Sequence, residues 1–167
     1  NNFETNVKGI FAIGDVSGPP LLAHAASHEG VIAAETIAGL HPHALDKMNI
    51  PGCTYCQPQV ASVGYTEKVL KDQKIEYKVG KIPFVANGKA VASNEKDGFV
   101  KVLMGKHGEL LGAHIVGTHA TELIHEYVLF RTMEGIDEEI FATVHPHPTL
   151  GEFLGEAVLL AKGRALN

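Results

Sequence analysis

Two alternating prolines near the C-terminus restrict the backbone more than any other feature of the sequence. In His145-Pro146-His147-Pro148, each proline fixes its own φ and keeps the residue before it out of the α region. The chain is therefore predicted to be extended here and to end any preceding helix. Both imidazoles are then held on stiff backbone, which makes them candidate functional residues.

A helix is predicted directly after this stretch. Thr149 is a suitable N-cap, and residues 150–162 are apolar and favour a helix. Glu152 then lies in the first turn, five positions after His147. A carboxylate beside an imidazole suits general acid-base catalysis, because it orients the ring and stabilises the imidazolium that forms.

Spacing alone leaves two other interpretations of these residues open. Thr149-x-x-Glu152 is also a capping box, in which the glutamate accepts a hydrogen bond from the N-cap amide. His147 is also compatible with a partly buried polar residue that takes no part in chemistry.

The string HPHPTLGE resembles the signature His-x-His-Pro-Thr-x-x-Glu of the flavin-dependent pyridine nucleotide-disulfide oxidoreductases, and within them of the dihydrolipoamide dehydrogenases. The resemblance implies that His147 is the catalytic acid-base and that Glu152 orients it. Relatives acting on glutathione usually lack the earlier histidine, and mercuric reductases and soluble transhydrogenases usually carry an aromatic residue in place of His147. The paired histidines therefore favour the lipoamide subgroup.

The apolar run over residues 7–15, VKGIFAIGD, predicts a strand buried on both faces of a parallel sheet. Asp15 would lie at the carboxyl edge, where ligands bind, and could accept hydrogen bonds from sugar hydroxyls or serve in an Asx turn or helix cap. The run resembles the family's second flavin motif, Thr-x-x-x-Gly-x-[Phe/Tyr]-Ala-x-Gly-Asp, through Thr5, Gly9, Phe11, Ala12, Gly14 and Asp15. By this resemblance Asp15 binds the ribityl chain of FAD.

Residues 19–40 are rich in alanine and predict a helix that stops near Gly39. Small residues let such a helix lie close to a neighbouring helix or to a flat cofactor. The family resemblance implies that Leu22, Ala23 and His24 approach the flavin ring, mainly through backbone groups.

Two short patterns raise metal or redox sites as alternatives. His24 and His28 share a helix face, but neither His-Glu pair in the sequence continues as HExxH, so no metal site is predicted. Cys53 and Cys56 form a CxxC without a second CxxC or a strand-helix context. We interpret them as two reduced, structural thiols rather than as a redox pair or half of a zinc site.

Composition excludes several classes of protein. With 45% apolar and 20% charged residues among 167, the chain has the composition of a soluble globular protein. Its net charge of −5 offers no basic face to nucleic acid or acidic lipid, and no apolar run reaches the roughly 18 residues of a membrane span. Residues 1–5 contain neither an initiator methionine nor a signal sequence. We therefore expect an internal cut in a longer protein of the cytoplasm, or of the mitochondrial matrix in a eukaryote.

Prolines and polar residues over 41–52 indicate a linker between two parts. We place the boundaries so that residues 1–45 are a remnant of an FAD-binding domain, 46–52 the linker and 53–167 a dimerisation domain. The predicted fold class is α+β: an antiparallel sheet with helices packed on it, preceded by the last strand and helix of an α/β FAD domain.

The second part alternates predicted strands and helices. Strands are predicted over 60–64, 75–85, 98–104 and 110–116, the last two as a hairpin, and helices over 66–73, 118–134 and from residue 137. The apolar stripe of the helix over 118–134 is wider than one sheet face needs, which indicates a subunit contact or a sheltered core helix. From residue 51 onwards the order resembles the family's C-terminal dimerisation domain, so a homodimer is expected.

Neither a GxGxxG turn nor the family's Cys-x4-Cys disulfide occurs in the sequence, so the chain is not expected to turn over alone. By resemblance the full enzyme oxidises dihydrolipoamide through FAD, with NAD as acceptor. Its partner would be the lipoyl group of a 2-oxoacid dehydrogenase or glycine cleavage complex. The alternatives are a glutathione- or mercury-type relative and a non-catalytic dimerisation module.

Overall fold

The computed structural model of the chain describes residues 2–164. These residues form two compact units, one ending at Lys47 and the other beginning at Met48. In the first unit the principal element is helix α1 (Ala23–Ile37), which confirms the helix predicted there. No helix among the described residues is both long and apolar enough to cross a membrane.

The strand predicted over residues 7–15 is wrong. The chain instead forms a short hairpin around a single bridge between Glu4 and Phe11, in which the N–H of Ala12 donates to the carbonyl of Phe3 at 2.9 Å. A 3-10 helix, Gly14–Ser17, follows. A strand buried on both faces needs neighbouring strands along its edges, and the described part of this unit supplies none, so residues 3–12 pair with one another.

The second unit is built on a five-stranded antiparallel sheet, which confirms the predicted α+β class. Its strands lie in the order β1-β2-β5-β4-β3, and the predicted hairpin is the β4-β5 pair. Their bounds are Gly52–Thr54 for β1, Gln59–Gly64 for β2, Lys78–Pro83 for β3, Phe99–Met104 for β4 and Leu110–Gly117 for β5.

Up to residue 164, five α-helices join or cover these strands, and the predicted ones all form. Thr66 caps the first of them as expected, since its side chain accepts a hydrogen bond from the Val69 N–H. The bounds are Glu67–Asp72 for α2, Gly88–Ala92 for α3, Ala120–Thr132 for α4, Asp137–Ala142 for α5 and Glu152–Ala161 for α6.

Helices α4 and α6 lie on the same face of the sheet and enclose the core with it. The fully buried Tyr127 of α4 donates its hydroxyl to the carbonyl of Leu154 in α6 at 2.9 Å. A Cβ at Gly80 of β3 would overlap the carbonyl of Ala157, so α6 lies directly on the strand backbone. These contacts fix the position of the α6 N-terminus, which carries Glu152.

Helix α4 buries only part of its apolar surface in this unit. Leu129 and Met133, one turn apart on the outer side, are 62% and 73% exposed. The residues that face the core are Ala120, Thr121, Ile124, Tyr127 and Phe130. The stripe is therefore wider than the sheet can cover, as its sequence indicated.

Candidate functional site

The segment between α5 and α6 is non-helical and displays both histidines of the proline-rich stretch. The peptide between His147 and Pro148 is cis. Asn87, which is buried, anchors the segment because its side-chain amide donates to the carbonyl of Thr149 at 3.0 Å. The imidazoles are thus presented on backbone that is tied to the core.

His147 and Glu152 meet as the sequence predicted. His147 Nδ1 lies 2.9 Å from Glu152 Oε1, and the ring is 79% exposed. The other carboxylate oxygen, Oε2, accepts the backbone N–H of Thr149 at 2.8 Å. One carboxylate therefore makes both interactions that the sequence left as alternatives, using one oxygen for each.

Thr149 is not the N-cap of α6, and that prediction is wrong. The helix begins at Glu152 with Gly151 before it, and the Thr149 hydroxyl donates instead to the Pro146 carbonyl at 2.7 Å. Proline residues supply no N–H in this segment, so a side-chain hydroxyl satisfies that carbonyl. Only the glutamate half of the predicted capping box is present.

The electrostatics of the pair determine which ring nitrogen can react. The Thr149 amide, followed by the hydrogen bond with His147, lowers the pKa of the Glu152 carboxyl. An ionised carboxylate only accepts hydrogen bonds, so the Nδ1–H of His147 donates to it. In the neutral imidazole, Nε2 is then the nitrogen without a hydrogen and can act as a base, and the carboxylate stabilises the imidazolium that forms when it accepts a proton.

The other histidine has a carboxylate partner that sequence reasoning missed. His145 Nε2 lies 2.8 Å from Oε1 of Glu126 on α4, and the His145 side chain is only 12% exposed. Its ring lies against Gly151 and Gly155 at the start of α6. The pair therefore ties the proline-rich segment to α4 and α6, two positions before His147.

The residues matched to the flavin motifs lie in the first unit, in the 3-10 helix and at the N-terminus of α1. Asp15 is exposed in the 3-10 helix Gly14–Ser17. Leu22 occupies the N-cap position of α1 without a side-chain cap, and Ala23 and His24 lie in its first turn. An exposed carboxylate suits sugar-alcohol hydroxyls, and an uncapped helix N-terminus suits an electron-rich group. Both features fit a flavin nucleotide.

The structure also gives the surroundings of the residues in the HxxxH and CxxC patterns. Within residues 2–164 no three His, Cys, Asp or Glu side chains come together as metal ligands. Cys53 and Cys56 are both free thiols. Burial, and then Glu122, raises the pKa of the Cys53 thiol, which disfavours the nucleophilic thiolate.

Comparison with known proteins gives one family match. Residues 50–158 match the dimerisation domain of the pyridine nucleotide-disulphide oxidoreductases. The chain is 56% identical over 165 residues to a dihydrolipoyl dehydrogenase of Zymomonas mobilis, covering 98% of the chain and 35% of the relative. A dihydrolipoyl dehydrogenase of Rhizobium etli is 55% identical over 166 residues, with 98% and 34% covered. The chain thus spans about a third of the length of these relatives.

A solved structure shares the fold. The crystal structure of LpdA from Mycobacterium tuberculosis superposes with a TM-score of 0.89 at 25% identity, over 94% of this chain and 34% of that one.

Proposed function

The chain belongs to the pyridine nucleotide-disulphide oxidoreductases, and on this premise we propose that it forms the C-terminal part of a flavin-dependent dihydrolipoyl dehydrogenase. The full-length enzyme, meaning the polypeptide that carries this chain at the length of its relatives, converts dihydrolipoamide and NAD to lipoamide and NADH. One observation carries the proposal. His147 presents an exposed Nε2 while its Nδ1 is held by Glu152 at 2.9 Å.

His147 is the catalytic acid-base of this reaction. Its Nε2 takes the proton from one thiol of the substrate, which leaves a thiolate, the form that attacks a disulfide. The imidazolium keeps its Nδ1–H on Glu152, and the negative charge of that carboxylate stabilises the cation. Glu152 is itself held by the Thr149 N–H at 2.8 Å, so the ring does not need to be reoriented when it gains the proton.

The first unit contributes part of the FAD site. Asp15 would accept hydrogen bonds from the hydroxyls of the ribityl chain, and Leu22, Ala23 and His24 at the N-terminus of α1 would approach the flavin ring mainly through backbone groups. When bound, FAD carries the substrate's electrons to NAD. In domain terms, residues 1–45 are the end of an FAD-binding domain, 46–52 a linker and 53–167 the dimerisation domain.

The enzyme acts as a homodimer in which His147 serves the flavin and disulfide of the other subunit. Its substrate is the lipoyl group of a 2-oxoacid dehydrogenase or glycine cleavage complex. We place it in the cytoplasm, or in the mitochondrial matrix of a eukaryote. The two free thiols, Cys53 and Cys56, are consistent with such a reducing compartment.

The test measures the turnover of different substrates by the full-length enzyme and by its His147→Gln variant. We expect NAD reduction by dihydrolipoamide, and a loss of about 10²–10⁴-fold in His147→Gln, the usual contribution of a general acid-base. The matched control is His107→Gln, which alters an exposed histidine in the β4-β5 turn and should leave turnover unchanged.

Two other outcomes would favour the competing assignments. Preferred turnover of glutathione disulfide or Hg(II) would identify a relative of another substrate class. Full activity of His147→Gln would reduce this chain to a non-catalytic dimerisation module.

A further inference from the structure

The first unit contains a buried carboxylate that the proposed function does not use. Glu29 of α1 is 1% exposed. Its Oε2 accepts the backbone N–H of Gly14 at 2.6 Å and lies 3.1 Å from the hydroxyl oxygen of Ser17. The same hydroxyl is 2.8 Å from the Gly14 carbonyl, so its hydrogen is shared between the two acceptors.

A carboxylate at this place in the helix requires an explanation. Ala25, Glu29, Ile32 and Ala33 form the buried face of α1, so the acid stands within an otherwise apolar stripe. Burying such a group is costly unless hydrogen bonds compensate. The two groups that donate to it, the Gly14 N–H and the Ser17 hydroxyl, both come from the 3-10 helix Gly14–Ser17.

The bonds join two parts of the proposed flavin site. The 3-10 helix bonded to Glu29 also carries Asp15, and α1 carries Leu22 to His24 at its first turn. Gly14 has a φ of 71°, a conformation that favours glycine, and its N–H is the group that reaches Glu29. The position of Asp15 relative to the start of α1 is therefore set by this carboxylate.

We propose that Glu29 is a positioning residue for the flavin nucleotide. It holds the turn of Asp15 at a fixed place against α1, so that the hydroxyl-binding carboxylate and the helix N-terminus engage one FAD molecule together. Glu29 does not touch the cofactor; it acts through Asp15. The inference rests on the proposed function, because it presupposes that the full-length enzyme binds FAD.

Substitutions at Glu29 test whether its hydrogen bond to the Gly14 N–H is needed for FAD binding. Glu29→Ala leaves the Gly14 N–H without its acceptor, and we expect the FAD dissociation constant of the full-length apoenzyme to rise by about tenfold or more, equivalent to about 1.4 kcal/mol. Glu29→Gln keeps an acceptor oxygen and should stay within about threefold of the unmodified enzyme. The control is Glu35→Ala on the same helix. Binding is measured by titration with FAD, read from flavin fluorescence.

A double-variant cycle tests whether Glu29 acts through Asp15. If it does, Glu29→Ala should weaken FAD binding little further once Asp15→Ala is present, because the positioned group is already lost. A general structural role, independent of Asp15, would instead make the two effects on the FAD dissociation constant multiply. If Glu29→Ala does not fold, Glu29→Asp is used instead, because the aspartate keeps the carboxyl group but its shorter side chain does not reach the Gly14 N–H.

The outcomes separate this inference from the function it rests on. Failure of the unmodified full-length enzyme to bind FAD would overturn the proposed function and the inference with it. Normal FAD binding by the unmodified enzyme, with unchanged affinity in Glu29→Ala or multiplying effects in the cycle, would overturn the inference alone.

Discussion

His147 and Glu152 are joined by a hydrogen bond of 2.9 Å between Nδ1 and Oε1, and the carboxylate is at the same time bonded to the backbone through its other oxygen. The Thr149 N–H therefore holds the Glu152 carboxylate in place, and that carboxylate orients the His147 ring. Glu152 can therefore cap the backbone and orient the His147 ring at the same time, because a carboxylate has two acceptor oxygens and each interaction uses one of them.

Glu152→Gln breaks this arrangement whichever way the new amide points. With its oxygen on the Thr149 N–H, its NH₂ group faces Nδ1 of His147 and forces the proton onto Nε2, which removes the base. With its oxygen on the ring, the NH₂ group opposes the Thr149 N–H. We expect dithiol oxidation by the full-length enzyme to fall at least about tenfold, or about 1.4 kcal/mol. Steady-state turnover measures this.

The same variant should remain folded, because the loss of a cap costs only about 0.5–2 kcal/mol of stability. Circular dichroism and urea unfolding provide that check, with Glu138→Gln in the first turn of α5 as the control. Unchanged turnover in Glu152→Gln would reduce this carboxylate to a cap and leave His147 without its proposed partner.

The Glu126–His145 pair is predicted to hold the proline-rich segment in place. Glu126→Ala leaves the largely buried His145 ring without its 2.8 Å partner, and losing the partner of a buried polar group costs about 1–3 kcal/mol. Glu126→Gln keeps an acceptor and should lose less. Denaturant unfolding measures both variants.

Turnover provides a second readout for this pair. Since His145 lies two positions before His147, Glu126→Ala should also lower turnover, by less than Glu152→Gln does. Glu122→Ala, at an exposed position on the same helix, serves as the control. Equal stability of the Ala and Gln variants would argue against a role for the hydrogen bond.

The exposed apolar side of α4 predicts where the subunits of the proposed homodimer meet. Leu129 and Met133 are 62% and 73% exposed, and apolar side chains exposed as a group mark interfaces. Leu129→Glu with Met133→Glu should convert the proposed full-length dimer to monomers in sedimentation analysis. Activity should fall with it if His147 serves the other subunit. Val91→Glu, at an exposed apolar position on α3, is the control. A dimer that survives the paired change would place the interface elsewhere.

Local pattern was sufficient to predict several parts of the structure. The β4-β5 hairpin and the apolar stripe of α4 depend on residues close in sequence, so alternation and helical spacing specify them. Spacing also placed Glu152 near His147, but it left the role of the carboxylate open, and the resemblance to the family signature favoured the pairing. The prediction that Thr149 caps α6 was wrong, and the reason is also local. Its hydroxyl had a competing acceptor in Pro146, which no spacing pattern reveals.

The hydrogen bonds that the sequence analysis did not predict join residues that are far apart in the sequence. Glu126 bonds to His145 across 19 positions and Glu29 to Gly14 across 15, so tertiary packing selects both pairs. Glu29 had one usable signal, since its spacing from Ala25 and Ile32 places it in the buried stripe of α1. The prediction of a strand over residues 7–15 was wrong. It inferred burial on both faces from the apolar run alone, without the neighbouring strands that such a strand requires.

The last prediction concerns pH and a histidine remote from the proposed site. His114 on β5 bonds to the Tyr65 carbonyl through Nε2 at 3.0 Å. Burial lowers the pKa of this imidazole, and Lys101, its cross-strand neighbour, lowers it further against the opposing effect of the carbonyl. In the unfolded chain the pKa returns to about 6.5.

The sign of the effect follows from proton binding. At acid pH the unfolded state binds a proton at His114 more readily than the folded state, so the stability contributed above about pH 6.5 is lost as the pH falls through the folded pKa. The free energy of unfolding of the unmodified protein should therefore decrease more steeply between pH 7.5 and 5 than that of His114→Gln. Lys101→Gln should show an intermediate slope, because it removes the neighbouring charge and leaves the burial. Urea unfolding at each pH measures the three slopes, and equal slopes for the unmodified protein and His114→Gln would show that this imidazole does not couple folding to pH.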